Sequence, residues 1–169
     1  MEKRIGCEIR AISGRTLSGY AARWDKRAKL GNFTETIRKG AFRASLEGST
    51  DILALSDHDP KRVLGRTRTG SLSLVEDEQG LRFDLTLPET SAGNDVLALA
   101  TRGDLGGASF GFTVPKGGEA WDGSHRELRQ VDLKEISVVQ SWPAYETGAI
   151  HVRAKTPKLD RARRYMEVV

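Results

Sequence analysis

The sequence predicts a mainly β chain with a few helices, an α+β domain whose strands form a compact barrel or sandwich. Short apolar stretches alternate with polar residues at a period of two, and Gly, Asp and Ser interrupt them at short intervals. Glycine occurs 18 times, often where a tight turn would be needed. No strand–helix–strand alternation runs through the chain, which argues against a doubly wound nucleotide fold.

Each element follows from its local pattern. Ile5, Cys7, Ile9 and Ala11 alternate with Gly6, Glu8 and Arg10, as in a half-buried strand. Gly14-Arg15 turns the chain into a second strand, Thr16 to Trp24, and Phe33 to Ile37 is a third. Gly40 to Leu46 suits one or two helical turns that carry Phe42 and Leu46 inward. Asp51 to Ser56 is a short apolar strand. Asp57-His58-Asp59-Pro60 ends it, because proline has no N–H and biases its predecessor toward extended geometry. Val63 to Thr67 and Ser71 to Glu76 resume strand character. Asp77-Glu78-Gln79-Gly80 reads as a hairpin turn into Leu81 to Leu87, where Leu81, Phe83, Leu85 and Leu87 share one face. Thr90 or Ser91 can cap a helix over Ala92 to Thr101, with Gly103 ending it and Val96, Leu97 and Ala100 as its buried stripe. Ala108 to Pro115 is a strand, Lys116 to Ser124 a Gly-rich surface loop, and Glu127 to Val131 and Leu133 to Ser141 two more strands. The total comes to about eight or nine strands and two short helices.

The chain has 169 residues, enough for one domain with a real core. The expected division is a domain over 1–153 and a basic tail over 154–169. Lys155, Lys158, Arg161, Arg163 and Arg164 outweigh Asp160 and Glu167 there by +3. A single cysteine, Cys7, excludes an internal disulfide framework and a cysteine zinc knuckle, and fits a reducing compartment. No apolar run approaches a membrane span, and the start of the chain lacks the apolar core of a secretory signal. The net charge of +4 permits acidic partners without demanding them, and 7% aromatic residues offer few stacking platforms for nucleic acid. Phosphate-loop, dinucleotide and His-Glu-x-x-His motifs are all missing, so no cofactor or metal is expected.

A general base working near neutral pH would ordinarily be a histidine, and there are three: His58, His125 and His151. His58 is the best placed, in a polar loop after an apolar strand. Asp57-His58-Asp59 could offer nitrogen and oxygen ligands to a metal, although adjacent residues rarely converge on one ion. Ser109 shares a strand face with Gly111 and Thr113, opposite Phe110, Phe112 and Val114. Glycine beside it leaves room for another group to approach; the plain alternative is the solvent face of an edge strand. Glu135 shares a face with Ser137 and Val139. A carboxylate there either sits in water near a strand end or pairs with a buried donor such as a histidine N–H.

The ordered set Gly19-Tyr20-Ala21-Ala22, Gly40-Ala41-Phe42, His58-Asp59-Pro60, Val63-Leu64-Gly65-Arg66-Thr67, Gly80-Leu81-Arg82-Phe83, Ser109-Phe110-Gly111-Phe112, Glu135-Ile136-Ser137-Val138-Val139 and Pro143-Ala144-Tyr145 resembles the prohead (procapsid) maturation proteases of tailed bacteriophages. The resemblance runs from about Ser18 to Arg153. It implies a fold like that of the herpesvirus assembly proteases, a closed or partly open β-barrel flanked by short helices. It implies a serine endopeptidase with His58 as base, Ser109 as nucleophile and Glu135 as the third member, with Asp132 the nearest rival carboxylate. Backbone N–H groups would form the oxyanion hole, with the loop after Val139 as a candidate. The implied substrates are the major capsid protein and its scaffolding segment, cut inside the procapsid in the host cytoplasm. Self-cleavage is also implied, and a homodimer is compatible. Membrane and nucleic acid are not expected partners. The alternative is a non-enzymatic capsid-assembly or scaffold-binding module on the same fold.

Overall fold

The computed structural model of the chain describes residues 1–5, 8–24, 26–48 and 50–140. In order the elements are β1 (Glu2–Ile5), β2 (Glu8–Ser13), β3 (Thr16–Arg23), β4 (Ala28–Leu30), β5 (Phe33–Ile37), α1 (Arg43–Glu47), β6 (Leu53–Ser56), β7 (Asp59–Arg66), β8 (Leu72–Glu76), β9 (Gly80–Thr86), α2 (Ser91–Arg102), β10 (Gly107–Thr113), β11 (Glu119–Asp122), β12 (His125–Leu128) and β13 (Asp132–Val139). A short 3-10 turn, Thr67–Thr69, joins β7 to β8.

Mainly β with two α-helices is what the periodicity predicts. The expected barrel is not. Among the described residues the strands form three separate sheets, ordered β1-β10-β13-β6-β7, β11-β12-β5-β4 and β2-β3-β9-β8. The pairing explains the difference. The alternating run at the start, read as one strand, is divided, with β1 on β10 and β2 on β3. Two pairs are parallel, β5 with β12 and β6 with β13, and each joins strands distant in sequence. A period of two says which residues share a face but not which strand lies alongside. The expected Gly-rich loop also contains a strand, β11, which pairs with β12 through Ala120↔Glu127 and Trp121↔Arg126. His151, Pro143-Ala144-Tyr145 and the basic tail lie outside the described residues.

One apolar cluster draws on all three sheets, with Leu17, Ile37, Phe42, Phe83, Phe110, Phe112 and Ile136 among its buried members. Phe42 enters it from the turn before α1 and meets Phe110 edge-on at 5.4 Å, and Phe110 stacks on Phe112 at 5.3 Å. Such pairs add about 0.5–1.5 kcal/mol beyond area burial. The hairpin β8–β9 and helix α2 match their sequence signals. Thr90 accepts from the Gly93 N–H at the start of α2, and Gly103 ends the helix in left-handed geometry.

β10 is the strand that positions the site. It lies between β1 and β13 and is buried on both faces from Gly107 to Phe112. One face carries Phe110 and Phe112 into the core. The other carries Ser109, which is fully buried and so is not on the solvent face of an edge strand.

Candidate active site

The polar face of the five-stranded sheet is assembled from three consecutive strands, β10, β13 and β6. Ser109 pairs with Ser137, and Gly111 pairs with Glu135, across the antiparallel β10–β13 ladder. Cross-strand partners share a face, so Ser109, Ser137 and Glu135 all project to the same side.

His58 arrives from the end of β6. That strand runs parallel to β13 and stops opposite Val138, at Ser56. The next two residues, Asp57 and His58, have φ of 51° and 59°, the left-handed region that side chains seldom occupy. Three bonds to the end of β13 hold the turn there. The Asp57 N–H donates to the Val138 carbonyl at 3.0 Å. The His58 N–H donates to Ser137 Oγ at 3.1 Å, and Asp57 Oδ1 accepts from the Gln140 N–H at 2.8 Å. The chain reverses in two residues, and β7 leaves at Asp59.

This turn lays the imidazole over the sheet. His58 Nδ1 lies 2.6 Å from Glu135 Oε1, and His58 Nε2 lies 2.8 Å from Ser109 Oγ. A carboxylate can only accept, so Nδ1 carries the hydrogen and Nε2 presents a lone pair to the serine in the neutral ring. The second oxygen, Glu135 Oε2, accepts from Ser137 Oγ at 2.7 Å. Glu135 is only 3% exposed, and both of its oxygens have donors, as a buried carboxylate requires. Ser109 Oγ has a second neighbour, the Arg4 carbonyl on β1, at 2.6 Å.

The residues singled out in the sequence divide as follows. His58, Ser109 and Glu135, separated by 51 and 77 positions from His58, come within hydrogen-bond reach in one chain of contacts. Asp132 does not join them: it pairs with Thr113 at the other end of β13. A bulge separates the two carboxylates, because Gly111 faces Glu135 while Phe112 faces Leu133, which leaves Lys134 extra and exposed. Asp59 accepts from the Lys61 N–H and Asp57 from the Gln140 N–H, so neither carboxylate follows the ring of His58. His125 sits between Thr34 and Thr36 at 3.0 and 3.1 Å, in another sheet. The loop after Val139, a candidate for oxyanion donors, lies outside the described residues beyond Gln140.

Ser137 is the group with no role assigned from sequence. It bridges the Glu135 carboxylate to the backbone of the His58 turn. Its signal was its place two residues after Glu135, on the same face.

The family model for the caudovirus prohead serine protease matches residues 6–161. The chain belongs to the caudovirus prohead serine proteases. Among curated proteins, none matches it. As a prohead serine protease it is a peptide-bond hydrolase of capsid maturation, which disfavours the non-enzymatic scaffold-binding alternative. Capsid and scaffold proteins are the substrates a prohead protease implies, and the procapsid in the host cytoplasm is its place of action. No helix among the described residues is long and apolar enough to cross a membrane.

Proposed function

We propose that Ser109 is the nucleophile, His58 the general base and Glu135 the residue that orients and balances His58. The contacts of the two His58 ring nitrogens, at 2.6 Å to Glu135 and 2.8 Å to Ser109, are the observation that carries this assignment.

A serine hydroxyl is a weak nucleophile until a base takes its proton. Ser109 Oγ attacks the scissile carbonyl carbon while its hydrogen passes to His58 Nε2. The imidazolium that forms is held between Ser109 and Glu135, whose carboxylate stabilises it without taking the proton. The tetrahedral intermediate collapses as His58 returns that proton to the leaving amine. Water then attacks the acyl-enzyme by the same route, and the serine is restored. Backbone N–H donors stabilise the oxyanion in such steps.

The finer substrates follow from the family reading. The scaffolding segment of the major capsid protein is cut inside the procapsid, and the chain cuts itself. By sequence, the protease domain is assigned to residues 1–153 and the basic tail to 154–169. A homodimer is compatible with this scheme.

The test is covalent labelling with a fluorophosphonate, read by intact mass. One adduct should form on the native chain and none on Ser109→Ala. Co-expression with the capsid protein should yield a trimmed product only with the native chain. Capsid trimming by Ser109→Ala would overturn the assignment.

A further inference from the structure

We infer that the edge of β10 is the site where a substrate peptide docks as an added strand, and that β1 of the same chain occupies it in this structure. The inference rests on Ser109 being the nucleophile.

The sheet order places β1 at the edge, next to the strand that carries Ser109. Its four residues pair with β10 from Glu2↔Phe112 to Ile5↔Ser109. Without β1 the edge of β10 would present a row of unpaired N–H and C=O groups. An extended peptide satisfies such an edge by strand addition, with backbone bonds supplying affinity and alternate side chains supplying specificity. Any strand in this place runs a backbone carbonyl past the serine. β1 does so at Arg4, whose carbonyl oxygen lies 2.6 Å from Ser109 Oγ.

Residues of one parity on β1 fill a charged recess. Arg4 clamps the buried Glu35 with two bonds, Nε to Oε1 at 2.5 Å and Nη2 to Oε2 at 2.9 Å. Glu2 receives two bonds from Arg126, at 2.6 and 2.8 Å, and Arg4 also reaches Glu2 at 2.8 Å. Arg126 further contacts Glu35 at 3.0 Å and Glu119 at 2.5 Å. Taking β1 away would leave two carboxylates, Glu35 and Glu119, facing one guanidinium. That recess selects a strand with a basic side chain at the position of Arg4.

The docked strand also holds the nucleophile idle. Ser109 has one hydroxyl hydrogen, and two acceptors compete for it, the Arg4 carbonyl and His58 Nε2. A hydrogen given to Arg4 is not available to the base. Ser109 is also fully buried, and the Arg4 carbonyl of β1 already occupies a place against Oγ that a substrate carbonyl would need. A substrate strand with matching chemistry displaces β1 and starts the reaction.

The experiment compares the rate of fluorophosphonate labelling at Ser109, by intact mass, in the full chain, in a chain lacking residues 1–5, and in Arg4→Ala. Arg4→Ala leaves Glu35 paired with Arg126, so it keeps the question open if the shortened chain fails to fold. Loss of charge-assisted bonds of this kind raises the open fraction on the order of tenfold, and Arg4→Ala should label faster by about that factor. The shortened chain should label faster still, and the synthetic peptide Met-Glu-Lys-Arg-Ile should slow it again. The same peptide with glutamate for arginine should slow it less. Folded variants that label at the native rate or below it would overturn the docked-strand inference while leaving Ser109 as the nucleophile. Absence of labelling in every folded chain would overturn Ser109 as the nucleophile and the inference with it.

Discussion

Gly111 and Glu135 face each other across β10 and β13, and a Cβ on Gly111 would stand well under 3.0 Å from Glu135 Oε1. The carboxylate that contacts His58 therefore lies in space left by a missing side chain. Glycine is required here by close approach rather than by backbone angle. Gly111→Ala should push Glu135 away from His58 Nδ1, because the methyl cannot enter the core and the carboxylate end can move. Overpacking of this kind costs about 1–3 kcal/mol of stability. The loss of turnover should be larger in proportion, on the order of 10² or more, as for a misoriented histidine. Thermal unfolding beside peptide turnover separates the two effects. Near-native turnover would show that the carboxylate is not needed where it lies.

Glu135→Gln tests the carboxylate directly. The amide keeps the shape but can turn an N–H toward the ring and favour the wrong tautomer. Turnover should fall on the order of 10² to 10⁴. Asp132→Asn, at the far end of β13, should leave it near native. The reverse pattern in kinetics would transfer the role to Asp132.

Ser137→Ala should harm both stability and turnover. It leaves Glu135 Oε2 without its hydroxyl donor and the His58 N–H without its acceptor. An unsatisfied buried polar group costs about 1–3 kcal/mol. If Ser137 only supports the fold, the melting temperature falls and kcat holds. If it positions Glu135 and His58, kcat falls at temperatures where the variant remains fully folded.

The charges on β1 carry a pH signature. The hydrogen bonds from Arg126 hold Glu2 below the usual carboxylate range, against the opposing effect of burial, and Arg4 adds to the lowering. A depressed carboxylate stabilises the folded state above its unfolded pKa, and that stability is lost as pH falls through the folded value. The groups facing Glu2 are Arg4 and Arg126, with Glu35 and Glu119 behind them. Glu2→Gln should therefore melt below the native chain at neutral pH. The gap should close in acid, where native Glu2 is itself protonated. A gap that persists unchanged in acid would show that the charge of Glu2 does not hold β1 in place.

Much of the local structure was legible because it depends on near neighbours. The β8–β9 hairpin is written in Asp77-Glu78-Gln79-Gly80 and four alternating apolar residues. Helix α2 is written in Thr90 and Gly103. β11 was hidden because four residues between Gly118 and Gly123 are too few to show a period. The division of the first strand was hidden because an alternating pattern reads the same whether one partner or two lie alongside. The missing barrel has the same cause.

For the site, the sequence by itself determined the residue types and their order: a histidine two residues before a proline, a serine flanked by glycine on its own strand face, and a carboxylate two positions before a serine. Together with the resemblance they carry, these pointed to His58, Ser109 and Glu135. Only the tertiary structure decided that they meet. The parallel pairing of β6 with β13 brings the left-handed turn at His58 to the end of the Glu135 strand. The bulge at Lys134 sets Asp132 apart, Gly111 makes room for the carboxylate, and β1 lies across Ser109. Each of these depends on contacts between strands far apart in sequence. Periodicity within a strand holds no information about such partners, because it records which face is buried and not what buries it.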